Sequence, residues 1–138
     1  MKLILKNQKG ESAVEFALIV PLLVLVIFGI IEFGLLLYNQ QVITNASREG
    51  ARAGIVVGLD RSGNEHETIS QNTATNYCSN HLVTFSDDSS PLSISTSGAA
   101  SSGDDLTVTV SYLYDFLMLS NLGIGPVTLD AKTIMKLE

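Results

Sequence analysis

An α+β fold is what the sequence predicts, with a long N-terminal transmembrane α-helix extending into a small antiparallel β-sheet domain. Three observations lead there. Across residues 16–38 the only charge is Glu32, so a helix rising about 1.5 Å per residue crosses the roughly 30 Å hydrocarbon core of a bilayer. Beyond that stretch Val42, Ala46, Gly50, Ala53 and Val57 fall three or four apart, the spacing of one helix face. Near the C-terminus, residues 106–112 and 127–136 alternate apolar and polar side chains with the period of two that a half-buried strand requires.

Taken in order, residues 1–10 form a basic leader carrying Lys2, Lys6 and Lys9. Residues 11–58 form the helix, with the membrane span at about 16–38 and an outer half at 39–58, and residues 59–138 form an extracytoplasmic α+β domain. The three lysines precede the span, whereas the nearest basic residue after it is Arg48, so the positive-inside rule puts the N-terminus in the cytoplasm and the C-terminal domain outside. Pro21 lies within the span, where its missing N–H loosens the turn before it; a plain kink and a flexible joint both fit. Glu15 stands at the cytoplasmic edge, within reach of headgroups. Glu32 is an intramembrane polar residue about 24 Å into the span by helical rise, near the outer interface, and either snorkelling or a partner's polar group accounts for it.

The outer half of the helix presents small side chains. Gly50 and Gly54 each cost about 1 kcal/mol of helix propensity relative to alanine, so close packing of the sheet against Ala46, Gly50 and Ala53 must compensate. Residues 65–80 read as a second helix, with Glu65 and Glu67 favouring its first turn and Ile69, Thr73, Tyr77 and Cys78 forming its inner face. Residues 82–85, 92–96, 106–112 and 127–136 read as strands, and the Ser/Gly-rich 97–105 as a mobile loop or a hairpin tip. Segment 113–124 holds too much apolar surface to stay solvated. Either it folds back as a short helix over the sheet, or it docks on another subunit or the outer leaflet; Phe116 and Leu119 are its candidate partner-surface residues.

Composition excludes several function classes. The formal charge is −6, and loss of the leader lysines makes it more negative, so the surface lacks the clustered cations that binding nucleic acid requires. Cys78 is the single cysteine, which rules out an internal disulfide. His66, Cys78 and His81 fall short of the four ligands of a closed zinc site, and the pairs Asp87–Asp88 and Asp104–Asp105 sit in turn-like sequence. No Gly-x-Ser-x-Gly elbow is present, and two scattered histidines specify no triad. The sequence therefore predicts no enzyme, no cofactor and no small-molecule substrate.

The N-terminus is more informative. An ordinary secretory signal has an apolar core of about 7–15 residues closed by a small-x-small site, and no such site follows the run at 17–31. No cysteine near the run marks a lipoprotein. Gly10, with Glu15 and Phe16 five and six residues on and the apolar run behind them, is instead laid out as a prepilin-type signal, cut after the glycine with the helix left on the product. An uncut signal anchor remains the other reading.

Three stretches carry a family resemblance: Gly10-Glu11-Ser12-Ala13-Val14-Glu15-Phe16-Ala17-Leu18 running on through Pro21, Gly29-Ile30-Ile31-Glu32-Phe33-Gly34, and Thr44-Asn45-Ala46-Ser47-Arg48-Glu49-Gly50-Ala51-Arg52. Together they closely resemble the TadE-like family, minor pseudopilins of the tight-adherence (Flp, type IVb) pilus system. The resemblance is strong from residue 10 to about 57 and returns faintly at 125–129. It implies a pilin-like fold, a processing site at Gly10 and Glu11, and recognition of Glu15 and Phe16 by a prepilin peptidase. The same two residues would serve subunit packing, the Glu15 carboxylate meeting the new amine at Glu11 of a neighbouring subunit. Implied partners are the peptidase, other pilins or pseudopilins, the inner-membrane assembly platform and membrane lipid. The implied location is the inner (cytoplasmic) membrane, with passage into the pilus. The alternative function is an uncleaved signal-anchored envelope binding module, an adhesin or sensor.

Overall fold

The computed structural model of the chain describes residues 8–56, 65–85, 92–98 and 103–137. Helix α1 runs without a break from Gln8–Val56, 49 residues, or about 70 Å by helical rise. Pro21 lies inside it. Helix α2 follows at Glu65–His81 with Glu65 and Glu67 in its first turn, where carboxylates favour the helix dipole. Strands β1 (Leu92–Gly98), β2 (Asp105–Tyr114) and β3 (Val127–Lys136) form one antiparallel meander in the order β1-β2-β3. The α+β architecture, a long apolar helix followed by a small antiparallel sheet, is the predicted one.

The strands form where the period of two predicts them because one face of the sheet is covered. Along β2 the buried residues are Leu106, Val108, Val110, Tyr112 and Tyr114, each of which contributes about 1.5–3 kcal/mol on leaving water. Register places Ile94 and Ala131 beside Val110, and Leu92 and Leu129 beside Tyr112, on that same face. The opposite face carries Ser93, Ser95, Thr109, Ser111, Asp130 and Lys132, the polar side of the alternation. Helix α1 covers β2 and β3, and α2 covers β1 while lying along α1. Ile43, Ala46, Ala51, Ala74 and Cys78 fill the space between helices and sheet.

The two helices approach closely because α1 is thin where they meet. A Cβ on Gly50 would stand 2.8 Å from the Ser70 carbonyl oxygen and 3.1 Å from Ala74 Cβ; one on Gly54 would collide with Ser70 Oγ and with Leu106 Cδ2. Only small residues fit opposite, and Ser70, Ala74 and Cys78 are the buried residues of α2. The predicted inner face of α2 is thus turned by one residue: Ile69, Thr73 and Tyr77 flank the contact half-buried, while Cys78 lies in it.

Residues 82–85 are not a strand. The Leu82 amide still donates to the Cys78 carbonyl, 2.8 Å away, closing α2, and the main chain of Val83 is engaged by a side chain instead of a neighbouring strand. Asn39 Nδ2 donates to the Val83 carbonyl at 2.8 Å and the Val83 amide donates to Asn39 Oδ1 at 3.0 Å. One buried amide therefore satisfies both main-chain polar groups of one residue. Of the 97–105 segment, Ser97 and Gly98 belong to β1 and Asp105 to β2, so the two strands approach a hairpin end there. Gly98 has φ +93°, and a side chain there would strike the Asp105 carbonyl. Val57, the loop at 59–64 and the Asp87–Asp88 pair lie outside the described residues.

Candidate membrane helix and its docked connection

The first half of α1 has no protein around most of it. Val14, Phe16, Leu18, Ile19, Leu22 and Leu23 are all exposed, and so are the large apolar residues from Val24 through Ile31. This is the one described helix long and apolar enough to cross a membrane. A side chain of this kind facing water forfeits the burial that stabilises the rest of the molecule, whereas in hydrocarbon it costs nothing. The helix satisfies its own main chain, as a lipid-exposed segment must.

Gly10 and Glu11 lie in the N-terminal turns of α1, with Glu11 in the first turn, and Glu15 and Phe16 stand exposed one turn further on. All four are open to a second macromolecule. The Gly10–Glu11 peptide is helical here, so a protease that binds extended substrate must first unwind the end of the helix; glycine, with the weakest helix propensity after proline, makes that unwinding easy.

Glu32 is where the outer domain begins. Its side chain is 2% exposed. The Met118 amide donates to Glu32 Oε1 at 3.1 Å and to Oε2 at 3.4 Å, and the Leu119 amide donates to Oε2 at 3.3 Å. The polar partner of this carboxylate is therefore main chain of the same molecule, on the connection between β2 and β3. Charge-assisted bonds of this sort are about twice as strong as neutral ones, and here they hold two amides that open a 3-10 helix, Leu119–Leu122.

That connection does not fold over the sheet. A short helix forms, but it lies along α1, where Met118 and Leu119 face Pro21, Val24, Leu25 and Phe28 across a groove of about 240 Å³. Phe116 packs edge-on to Tyr114 at 5.4 Å and 89°. Both candidate partner-surface residues, Phe116 and Leu119, are half-buried. The Tyr114 hydroxyl is buried without a hydrogen-bond partner; desolvation, then the Glu32 charge, then Tyr112 raise its pKa above the usual tyrosine value. Tyr112 is raised as well, by desolvation and then by Asp115.

Further along α1, Ala46 and Gly50 are buried and Ala53 half-buried, so the small-residue face does meet the domain. Its partners include more than the sheet, because α2 packs on Gly50 and Gly54. Polar bonds that the sequence reading missed fix the register. Ser70 Oγ donates to the Gly50 carbonyl at 2.9 Å, the hydroxyls of Ser47 and Thr133 lie 2.7 Å apart, and Gln40 Nε2 donates to the Asp130 carbonyl at 3.1 Å. The signal for Asn39 and Ser47 was present in the sequence as polar residues on the apolar stripe; nothing local told which main chain they meet.

The soft ligands are kept apart. Cys78 faces the core, and burial pushes its thiol up to about 11. His81 is exposed, stacked on Tyr77 at 4.4 Å with Nδ1 2.8 Å from the Tyr77 carbonyl oxygen. Among the described residues no group of three or more His, Cys, Asp or Glu could hold a metal ion.

Residues 10–52 match the family model described as TadE-like protein. The resemblance read from the sequence holds over that stretch, which takes in the exposed apolar half of α1, Glu32 and the small-residue face through Arg52. No curated protein and no solved structure gives a significant match.

Proposed function

We propose that this chain is a minor pseudopilin taking part in assembly of tight-adherence (Flp, type IVb) pili, processed after Gly10 by a prepilin peptidase. The TadE-like match over residues 10–52 supports a pilus-associated protein of that system. The observation that carries the finer reading is the form of α1: one continuous rod whose N-terminal half is exposed and apolar over most of its surface and whose C-terminal half is the spine of a folded domain. Such a rod is equally soluble in lipid and in a bundle of similar rods, so it can pass laterally from one to the other without refolding. Cleavage after Gly10 removes the leader lysines and gives the rod a new amine beside the Glu15 end of the helix.

In this reading the N-terminus is cytoplasmic, the sheet domain extracytoplasmic, and the partners are the peptidase, other pilins or pseudopilins, the inner-membrane assembly platform and lipid. Glu15 and Phe16 serve peptidase recognition and then subunit packing. Its role is mechanical and not enzymatic. A second reading, an uncleaved signal-anchored binding module, is favoured by one observation, the helical state of the Gly10–Glu11 bond. Intact mass of the membrane-extracted protein, co-expressed with and without a prepilin peptidase, separates the two: a mature start at Glu11 that depends on the peptidase supports the pseudopilin, and an unchanged full-length mass supports the anchor.

A further inference from the structure

The β2–β3 connection is built like a segment meant for hydrocarbon. Five of its amides are satisfied within the protein: those of Met118 and Leu119 by the Glu32 carboxylate, that of Asn121 by the Met118 carbonyl at 3.1 Å, and those of Gly123 and Ile124 by the Ser120 and Leu119 carbonyls at 3.1 Å each. Irregular main chain survives at membrane depth only when its polar groups are met in this way. Its large outward side chains are apolar, with Leu117 and Ile124 each 45% exposed and Met118 also exposed; the exposed polar ones are Ser120 and Asn121, the latter at the groove. Placement agrees with chemistry. Phe28 and Pro21, which line the groove, lie about 6 and 16 Å from Glu32 along the helix axis, a stretch that runs from near the outer interface past the middle of a hydrocarbon core about 30 Å thick.

We infer that residues 115–126 form a second membrane contact, a wedge that enters the hydrocarbon from the sheet-domain side and reaches its middle, and that lipid acyl chains occupy the groove between Met118–Leu119 and Pro21–Phe28. The inference rests on the membrane reading of α1 and goes beyond it. Lipid is the occupant because the groove is continuous with the exposed apolar surface of the helix, which is lipid-facing on that reading. The wedge fixes the domain at one height and one rotation about the rod, with Glu32 as the latch.

The chain has no tryptophan, so single tryptophans report cleanly. Full-length Leu117→Trp, Phe28→Trp and Ser95→Trp proteins are reconstituted in phosphatidylcholine vesicles, plain or with brominated acyl chains. Continued resistance of Cys78 to a thiol reagent checks the fold. Leu117→Trp is expected to lose most of its emission to brominated chains, as Phe28→Trp does, and to resist aqueous acrylamide, while Ser95→Trp behaves oppositely. Ile124→Trp repeats the measurement from the other side of the connection. Quenching of Phe28→Trp by lipid with Leu117→Trp and Ile124→Trp open to acrylamide overturns the wedge alone. Failure of lipid to quench both Phe28→Trp and Leu18→Trp, the latter outside the groove lining and 74% exposed, overturns the membrane reading and the wedge with it. Shielding of Leu117→Trp from both quenchers, relieved only by diluting protein in lipid, means that a second copy fills the groove, and this too overturns the proposal.

Discussion

Replacing Gly54 with alanine tests whether the close approach of α2 and β2 to α1 is what holds the outer domain. The new Cβ would overlap Ser70 Oγ and stand 2.5 Å from Leu106 Cδ2, and Leu106 is wholly buried, so neither neighbour has free space to retreat into. Overpacking of a filled core costs about 1–3 kcal/mol. Turning Ser70 aside also breaks its bond to the Gly50 carbonyl, about another 1 kcal/mol. Against this stands about 1 kcal/mol of helix propensity gained by alanine. The net is a loss of roughly 2 kcal/mol, which for a domain of this size lowers Tm by about 10 °C. Gly34→Ala is the control, because nothing lies within 4 Å of a Cβ there and propensity acts alone. The assay is thermal unfolding of both full-length variants in the same detergent, followed by circular dichroism. If both variants shift Tm upward by similar amounts, the packing argument is wrong.

Other perturbations address other joints. Asn39→Ala strands the amide and carbonyl of Val83 and is expected to cost about 1–3 kcal/mol, read in the same melts. Glu32→Ala frees the amides of Met118 and Leu119, so limited proteolysis should cut within 115–126 much faster than in the parent, with Glu32→Gln intermediate because it keeps one acceptor; unchanged cleavage would show that the latch is idle. Tyr114→Phe removes a buried hydroxyl that has no partner and is expected to leave Tm unchanged or raise it. The Cys78 thiol carries a pH signature. Its folded value of about 11 exceeds the ordinary thiol value of 9.0, so its contribution to stability is fully present below pH 9, declines as only the unfolded chain ionises, and is gone above about 11. Cys78→Ala should flatten the decline in Tm over that interval.

The sequence was most legible where a period governs it. Alternation along β2 and β3 and the long apolar run each fix an element by local pattern, and each element is present. The small-residue face of α1 was legible as a contact, but its principal partner was not. Glycine at 50 and 54 signals close approach without saying to what, and the selection of Ser70, Ala74 and Cys78 over the more apolar Ile69 and Tyr77 follows only once the helices are known to touch. Residues 82–85 were misread as a strand because their composition suits one, while the Asn39 amide that takes the strand partner's place is 44 positions away. Glu32 shows the same limit. Its cost in an apolar stretch was evident, but its partners lie 86 and 87 positions away on a segment whose own pattern pointed only to concealment from water.

The proposed role requires the chain to function as a trimmed rod that leaves the bilayer for a filament. Its most direct test is to replace the chromosomal copy by Gly10→Val, which blocks the peptidase without touching the folded domain, and to count pili by electron microscopy alongside immunoblots of the membrane fraction. Accumulation of the untrimmed chain in the membrane with loss of pili is the predicted result. Normal piliation with the leader still attached would contradict it.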